Sequence, residues 1–378
     1  MSQRYQAGII LPGYNPLKVP DAPTIGTATP ASFTAASITF TAPVGIGGSA
    51  ITSYLATVTN TSTGVTTSAS GASSPITVSG LASGTYTFKV LAINSYGPSG
   101  NSSASNSVLL GTIEYLVVAG GGGAGRAQNG YGGTGGGGAG GFRTGALSVS
   151  VSTNYTVTIG AGGAASTVNN TVGTQGQSSV FSTITSAGGG YGAGNITDNG
   201  GNGGSGGGGG QTGGVGGTGN TPSVSPSQGN NGATVVLNRN AGQGAGGASA
   251  VGTAALVDNT AGNGGNGTAS SISGSSVTYA GGGAGGRYPT TGSAGGTGGT
   301  GGGGNGDGSN GTANLGGGGG GILGGSTGGS GGYGIVILKY PDGNTITVGA
   351  GLTASTSSPS GGYKVTTITS GTGNVSWA

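Results

Sequence analysis

The chain has 378 residues, of which 101 are glycine and 4% are charged, and it contains neither cysteine nor histidine. The missing cysteines exclude disulfides and thiolate metal sites, and the missing histidines remove the commonest general base and metal ligand. Nine basic and six acidic residues give a formal charge of +3, with no Lys/Arg run able to neutralise several phosphates, so nucleic acid is not expected as a partner.

Residues 1–19 read as a short leader, "MSQRYQAGIILPGYNPLKV", whose apolar patch is only AGIIL and is closed by Pro12. It does not read as a signal peptide, and no apolar run in the chain approaches the roughly 20 residues of a membrane span, so membrane insertion is not expected. One reading of the leader is a frayed terminus. The other is an extended attachment peptide in which Tyr5, Ile9, Ile10, Leu11 and Tyr14 dock on a partner, because Ile9–Leu11 have nothing nearby in sequence to cover them.

Residues 20–110 read as short alternating strands with turn signals between them, the pattern of an antiparallel sandwich. Ile38 and Phe40 alternate in "SITFTAP", Ile51, Tyr54 and Val58 fall at buried positions of "ITSYLATVTN", and Tyr86, Phe88, Val90 and Ala92 alternate in "GTYTFKVLAIN". Together with "VSGLASGTYTFKVLAINSYGPSGNSS", these stretches resemble a fibronectin type III domain over its whole length. The resemblance implies a tyrosine corner at Leu81 and Tyr86. It also implies a turn at Asn94, Gly97 and Ser99 leading into the last strand, and Phe40 where the family usually has its core tryptophan.

Beyond residue 110 about a third of positions are glycine. The apolar runs Tyr115–Val118 and Ile335–Leu338 suit buried strands and are expected to pair, which brings the ends of the block together. "ALSVSVSTNYTVTIG" suggests a hairpin with Leu147, Val149 and Val151 on one strand and Tyr155, Val157 and Ile159 on the other. "GQSSVFSTITSAGGG" suggests a further strand through Val180 and Ile184. Fourteen tyrosines and these apolar runs argue against simple disorder.

Between the strands, non-glycine residues recur every third position. Asn199, Asn202, Ser205 and Gln211 share one phase, with Gly208 completing the row; Thr212, Val215 and Thr218 follow after a slip; Ala294, Thr297 and Thr300 keep the same count. Three residues per turn is the polyproline II helix, whose backbone groups all point sideways. Such helices can bond to one another only where no Cβ keeps them apart, so two glycines in each three would face neighbours and the third position would point outward. Collagen is a poorer match, with 13 prolines in the chain and no strict G-X-Y repeat.

"IEYLVVAGGGGAG", "GYGGTGGGGAGGF", "YTVTIGAGG", "SAGGGYG", "TYAGGGAGG" and "GGYGIVILKYP" resemble the glycine-rich domain of bacteriophage tail-fibre and adhesin proteins, across most of residues 112–341. The resemblance implies a polyglycine II sandwich whose connecting loops at one end bind a bacterial surface polysaccharide or outer-membrane protein. It transfers no binding residue. Residues 342–378 supply three further strands, around Ile346 and Val348, at Lys364–Ile368 and at Val375–Trp377, too few to form a core alone. The expected organisation is therefore all-β: attachment peptide 1–19, fibronectin type III-like domain 20–110, polyglycine/polyproline II sandwich 111–341 with flanking strands, and a small β segment 342–378.

Catalysis has little support in the sequence. Asp21, Glu114, Asp198, Asp258, Asp307 and Asp342 are scattered, so no paired carboxylates are apparent. "GNGDGSNG" lacks the closing glutamate of a calcium loop, and "GGGGAG" is followed by no βαβ unit. No enzyme activity, cofactor or metal is expected. Non-glycine insertions at 221–241, 251–260 and 286–291 are either solvated turns or recognition loops. On the second reading Arg239, Arg287 and Tyr288 are the receptor-binding candidates.

The resemblance implies a virion location on a phage particle, other virion proteins as partners through the leader, and possible homo-oligomerisation. The alternative is a structural or decoration protein of the virion, a capsid fibre or a baseplate or tail component, without direct receptor binding. A bacterial surface adhesin is a third reading, disfavoured by the leader.

Overall fold

The computed structural model describes residues 18–130, 132–195, 197–236, 240–256, 260–287 and 295–378. All regular elements among the described residues are β-strands. The chain divides into two compact units. The first takes in the described part of Met1–Thr112 with Ser148–Ser150 and Pro341–Asn344; the second takes in Ile113–Leu147, Val151–Tyr340 and Thr345–Ala378.

The first unit contains β1 (Thr24–Ser32), β2 (Ala35–Thr41), β3 (Ile51–Asn60), β4 (Thr66–Gly71), β5 (Ile76–Ser79), β6 (Gly84–Asn94), β7 (Gly97–Pro98) and β8 (Val108–Leu110). One sheet has the order β1-β2-β5 and the other β4-β3-β6-β7, with β8 also on β6. Alternation on β6 turns Tyr86, Phe88, Val90 and Ala92 inward, where they meet Ala36, Ile38, Phe40, Ile76 and Val78. This is the fibronectin type III-like sandwich. Phe40 fills its aromatic position against Tyr54, with ring centroids 4.7 Å apart. Tyr86 is buried and its hydroxyl donates to the Ala82 carbonyl at 3.0 Å, which makes the corner.

The last strand departs from the expected form. After β7 the edge of the sheet is made by Ser99, Ser102 and Ser105, again a count of three. Their N–H groups donate to the carbonyls of Ala92, Val90 and Phe88 at 2.8, 2.8 and 3.0 Å. Their hydroxyls accept from the N–H groups of the same three residues at 2.9–3.0 Å. A three-residue repeat offers one backbone pair where a strand of period two would offer its partner more, and the serine hydroxyls satisfy the donors left over.

The second unit adds β9 (Thr112–Val118), β10 (Phe142–Ser148), β11 (Tyr155–Thr158), β12 (Ser179–Phe181), β13 (Ile184–Ser186), β14 (Thr268–Ser270), β15 (Val277–Tyr279), β16 (Ile335–Pro341), β17 (Ile346–Val348), β18 (Leu352–Thr356) and β19 (Tyr363–Trp377). One sheet runs β10-β9-β16-β19-β11-β12-β13, with β17 and β18 also on β19. β9 and β16 pair antiparallel, Val118 opposite Ile335 and Tyr115 opposite Leu338. Their continuous apolar sequence is explained by burial on both faces. One side meets Tyr279, Ile272 and Ala280. On the other, Tyr115, Phe181, Tyr155, Trp377 and Tyr340 form a chain of ring contacts 5.7–6.3 Å apart.

Three local expectations are corrected. The hairpin expected over residues 147–159 does not form, because Leu147 belongs to β10, which pairs with β9, while β11 lies between β19 and β12. The Val180–Ile184 stretch is two strands, β12 and β13, turning at Ser182 with φ 54°. Lys364–Ile368 and Val375–Trp377 belong to the single long strand β19, against which β18 packs as an unforeseen strand.

The glycine-rich runs form a lattice. In the run that follows β9, Ala119 and Gly122 donate to Gly141 and Gly138 of one neighbour. Gly120 and Gly123 donate to Gln177 and Thr174 of a second, and Gly121 and Ala124 to Gly332 and Gly329 of a third. Donors three apart reach the same partner, the signature of a three-residue helical turn. The same run accepts from Gly163, Gly189 and Gly319, which lie on three further runs, so it has six neighbours. A Cβ placed on Gly121 would stand 2.0 Å from the Gly317 carbonyl oxygen. That close approach is why the run is built of glycine.

At the lattice perimeter the third position carries asparagine for a specific reason. The Oδ1 atoms of Asn199 and Asn202 accept from Val215 and Thr218 N–H at 2.8 and 2.7 Å, and those of Asn263 and Asn266 accept from Thr297 and Thr300 at 2.8 and 3.1 Å. The carboxamide thus supplies the acceptor that an outer run lacks. The expectation that every third position points outward fails at Ser205 and Gln211, which are 0% and 3% exposed. Both sit where one run reverses into the next. Ala294 lies outside the described residues.

Candidate functional site

The strands gather at one end of the lattice, because β9, β11, β13, β14, β15 and β16 each join directly to a glycine-rich run. The runs then reverse alternately at the sheet end and at the opposite, far end. Turns around 203–205, 220–227, 248–250, 271–276, 300–302 and 313–316 lie at the sheet end; Ala248 N–H, for example, donates to Ala280, next to β15. The chain at 127–130, 166–171, 197–198, 211–213, 307–309 and 322–327 turns at the far end.

Direct contacts bind the far-end turns together. Arg126 closes the first run and forms an isolated bridge with Thr171. Its guanidinium donates to Asn169 Oδ1 at 2.9 Å, the Thr167 carbonyl at 3.1 Å, Thr327 Oγ1 at 3.0 Å and the Gly325 carbonyl at 2.9 Å. One side chain therefore ties three turns into a single surface, using the planar fork that lysine lacks. Asn170 Oδ1 accepts from Gln128 N–H at 3.1 Å, and Gly210 N–H donates to the Asp198 carbonyl at 2.9 Å. Beside them Gln211 is buried, and its Nε2 has no hydrogen-bond partner. Val168, Val236 and Leu256 are 63–67% exposed on the same end.

A cavity of ≈ 340 Å³ opens among these turns, lined by Arg287, Gly295, Gly306, Asp307, Ile322, Leu323 and Ser326. Asp307 accepts from both the hydroxyl and the N–H of Ser309, and the hydroxyl contact foremost holds its carboxyl below the usual carboxylate range. Gly308, with φ +85°, makes the turn between the two residues. Its N–H donates to the Gly321 carbonyl at 3.0 Å.

Of the residues singled out in the sequence, Arg287 is exposed at the far end, where the run 280–287 stops. Arg239 and Tyr288 lie outside the described residues, as do Tyr5, Ile9, Ile10, Leu11 and Tyr14. The insertion 221–241 is not one loop. Residues 221–227 turn at the sheet end, 228–236 form a lattice run, and Asn240 is again at the far end. Buried Gln228 holds the sheet-end part, donating from Nε2 to the Pro222 carbonyl and accepting from Ala187 N–H, each at 2.8 Å. Arg126 and Ile322 had not been singled out, and Asp307 had figured only among the scattered acids and in a turn that lacks the closing glutamate of a calcium loop. Only the position of Arg126 at the close of a glycine run could have marked it.

A family model described as a glycine-rich domain matches residues 97–341. The chain belongs to the glycine-rich domain family. No curated protein matches the chain. Among solved structures, titin domains A168–A170 are 29% identical over 24% of this chain and 32% of that one, with a TM-score of 0.23. Titin kinase with its flanking domains is 28% identical over 25% and 17%, with a TM-score of 0.23. The twitchin kinase region from C. elegans is 24% identical over 24% and 17%, with a TM-score of 0.22. This glycine-rich domain protein thus spans at most 32% of the length of these structures.

Proposed function

We propose that the protein is a non-enzymatic bacteriophage virion fibre or adhesin that attaches to the particle through its N-terminal residues and recognises the host surface with the far-end turns of its glycine-rich domain. The observation that supports this reading is the sorting of turns. The runs 119–126 and 132–141 are enclosed by other runs, so their faces are consumed by backbone bonding. Arginine, aspartate, several asparagines and exposed aliphatics instead collect on the far-end turns, three of which one guanidinium ties together. Variable chemistry on a rigid frame is what recognition surfaces use.

The test is attachment of the purified full chain to a panel of bacteria, before and after residues 237–240, 257–260 and 287–294 are replaced by short Gly/Ser segments. Attachment should be lost while the chain stays folded. Attachment that survives all three replacements would transfer the assignment to a structural or decoration role in the virion.

A further inference from the structure

The chain contains eight Asn–Gly pairs. In this dipeptide an asparagine carboxamide closes most readily on the backbone, because the following residue has no side chain to shield its nitrogen. Seven of the eight are held twice by the lattice. In the five that begin at Asn199, Asn202, Asn263, Asn266 and Asn310, one residue of a neighbouring run is gripped at both its backbone groups. Its N–H donates to the asparagine Oδ1 at 2.7–3.1 Å, and its carbonyl accepts from the glycine N–H at 2.7–3.1 Å. The pairs at Asn231 and Asn305 are held by two residues each. Gly219 and Gly298 N–H donate to the carboxamides at 2.8 and 2.9 Å, while Gly232 and Gly306 donate to the Gly217 and Gly296 carbonyls, each at 2.9 Å.

Asn129–Gly130 is the exception. Both residues are exposed on the far-end turn 127–130, where Gly130 has φ +84°. The turn is anchored just before them. The Ala127 carbonyl accepts from Gly325 N–H at 2.8 Å, and Gln128 N–H donates to Asn170 Oδ1 at 3.1 Å. Among the described residues neither the Asn129 carboxamide nor the Gly130 N–H has a hydrogen-bond partner, and a Cβ added to Gly130 would meet nothing within 4 Å.

We propose that Asn129–Gly130 is the chain's deamidation site, converting to aspartate and isoaspartate through a succinimide while the seven lattice-held pairs persist. Base removes the Gly130 amide proton, and that nitrogen attacks Asn129 Cγ. The N–Cγ bond forms as Cγ–Nδ2 breaks, and Nδ2 leaves as ammonia, taking up a proton in place of the one lost. Water then opens either C–N bond of the ring, which restores the N–H and leaves one carboxylate. No oxidant or reductant takes part. A held pair reaches the same ring only by breaking both its bonds, since its glycine N–H is aimed at a neighbour's carbonyl and its carboxamide at a neighbour's N–H. Reaction there is slowed by the free energy of opening the lattice locally. The product adds a negative charge to the far-end surface, whether or not that surface recognises a host.

Trypsin separates the sites. Cleavage after Arg126 and Arg143 yields a peptide whose sole Asn–Gly pair is Asn129–Gly130, and cleavage after Arg239, Arg287 and Lys339 divides the other seven among three peptides. The folded full-length protein is incubated at mildly alkaline pH in heavy-oxygen water, beside a sample kept unfolded in guanidinium, and both are digested and followed by mass spectrometry. In the folded protein, peptide 127–143 should gain label at least about tenfold faster than the other three, which requires only ~1.4 kcal/mol of lattice opening. In guanidinium all four should convert at similar rates per pair, and Asn129→Gln should silence only the first. Comparable rates in the folded chain would overturn the proposal, because the lattice would then protect nothing. An unchanged spread of rates in guanidinium would overturn it too, because local sequence alone would then set them. Label that persists in peptide 127–143 of Asn129→Gln would place the reaction on another residue and end the assignment.

Discussion

Placing a side chain at Gly203 tests the lattice at a single atom. A Cβ there would lie 2.5 Å from both the Gly188 carbonyl oxygen and the Gly190 nitrogen, so the run 187–195 would have to retreat by close to an ångström. That run is held by Gly204 N–H on Gly188 and by its own Gly190 N–H on Ser205, each at 2.9 Å, while Gly203 itself donates to Thr218 at 3.1 Å. Losing three such bonds at ~0.5–1.5 kcal/mol each and overpacking at ~1–3 kcal/mol, less ~0.4–1 kcal/mol from a stiffer unfolded chain, puts Gly203→Val at about 1.5–7 kcal/mol, centred near 4. The adjacent Asn202 is exposed, and Asn202→Val removes only its bond from Thr218 N–H, which water can replace, for about 0.5–1.5 kcal/mol. Trp377 is the chain's one tryptophan and is 1% exposed in the second unit, so its fluorescence during guanidinium unfolding reads the relevant stability. Equal midpoint shifts for the two variants would refute the reasoning.

Tyr86→Phe should cost the first unit about 1 kcal/mol by leaving the Ala82 carbonyl without its donor, read as a lowered calorimetric transition. Asn263→Ala should leave the fold intact and speed amide exchange at Thr297, whose N–H the carboxamide accepts. Burial foremost raises the phenol of Tyr340 above the usual tyrosine value, so the folded state holds that proton more tightly than the unfolded chain. The resulting stability is fully present below the ordinary value, roughly pH 10, and is lost as pH rises through the higher folded value. Unfolding midpoints should therefore fall in strong alkali, less steeply in Tyr340→Phe. Removing residues 1–17 should release the protein from particles without lowering either unfolding transition, and full occupancy of the truncated chain would contradict attachment through that segment.

The fold was legible where the pattern had one physical meaning. Alternation in Tyr86–Ala92 specifies a one-sided strand, unbroken apolar residues at Tyr115–Val118 specify a two-sided one, and glycine in threes specifies touching backbones. Legibility stopped where pairing depended on distant chain. Nothing local says that Tyr155–Thr158 bonds to Val375–Thr372 rather than to its sequence neighbour, since both offer suitable apolar faces. The period of three was equally readable in Ser99, Ser102 and Ser105, but the strand-like context of a type III sandwich masked it.

The far-end surface was legible only as a set of insertions. Whether two turns share an end depends on the parity of the reversals between them. The short reversal at 203–205 gives almost no sequence signal, because Ser205 continues the same phase of three through the turn. One unnoticed reversal moves every later insertion to the opposite end. For the same reason residues 221–227 and Arg287 looked alike in sequence and lie at opposite ends of the lattice.

Hydroxyl-radical footprinting of the full chain bound to bacterial envelopes, against the free chain, tests the recognition claim most directly. Protection should fall on 127–130, 166–171, 197–198, 211–213, 307–309 and 322–327, with the sheet-end turns 220–227 and 271–276 labelled as in the free protein. Protection centred on those sheet-end turns, with the far-end turns unchanged, would contradict it.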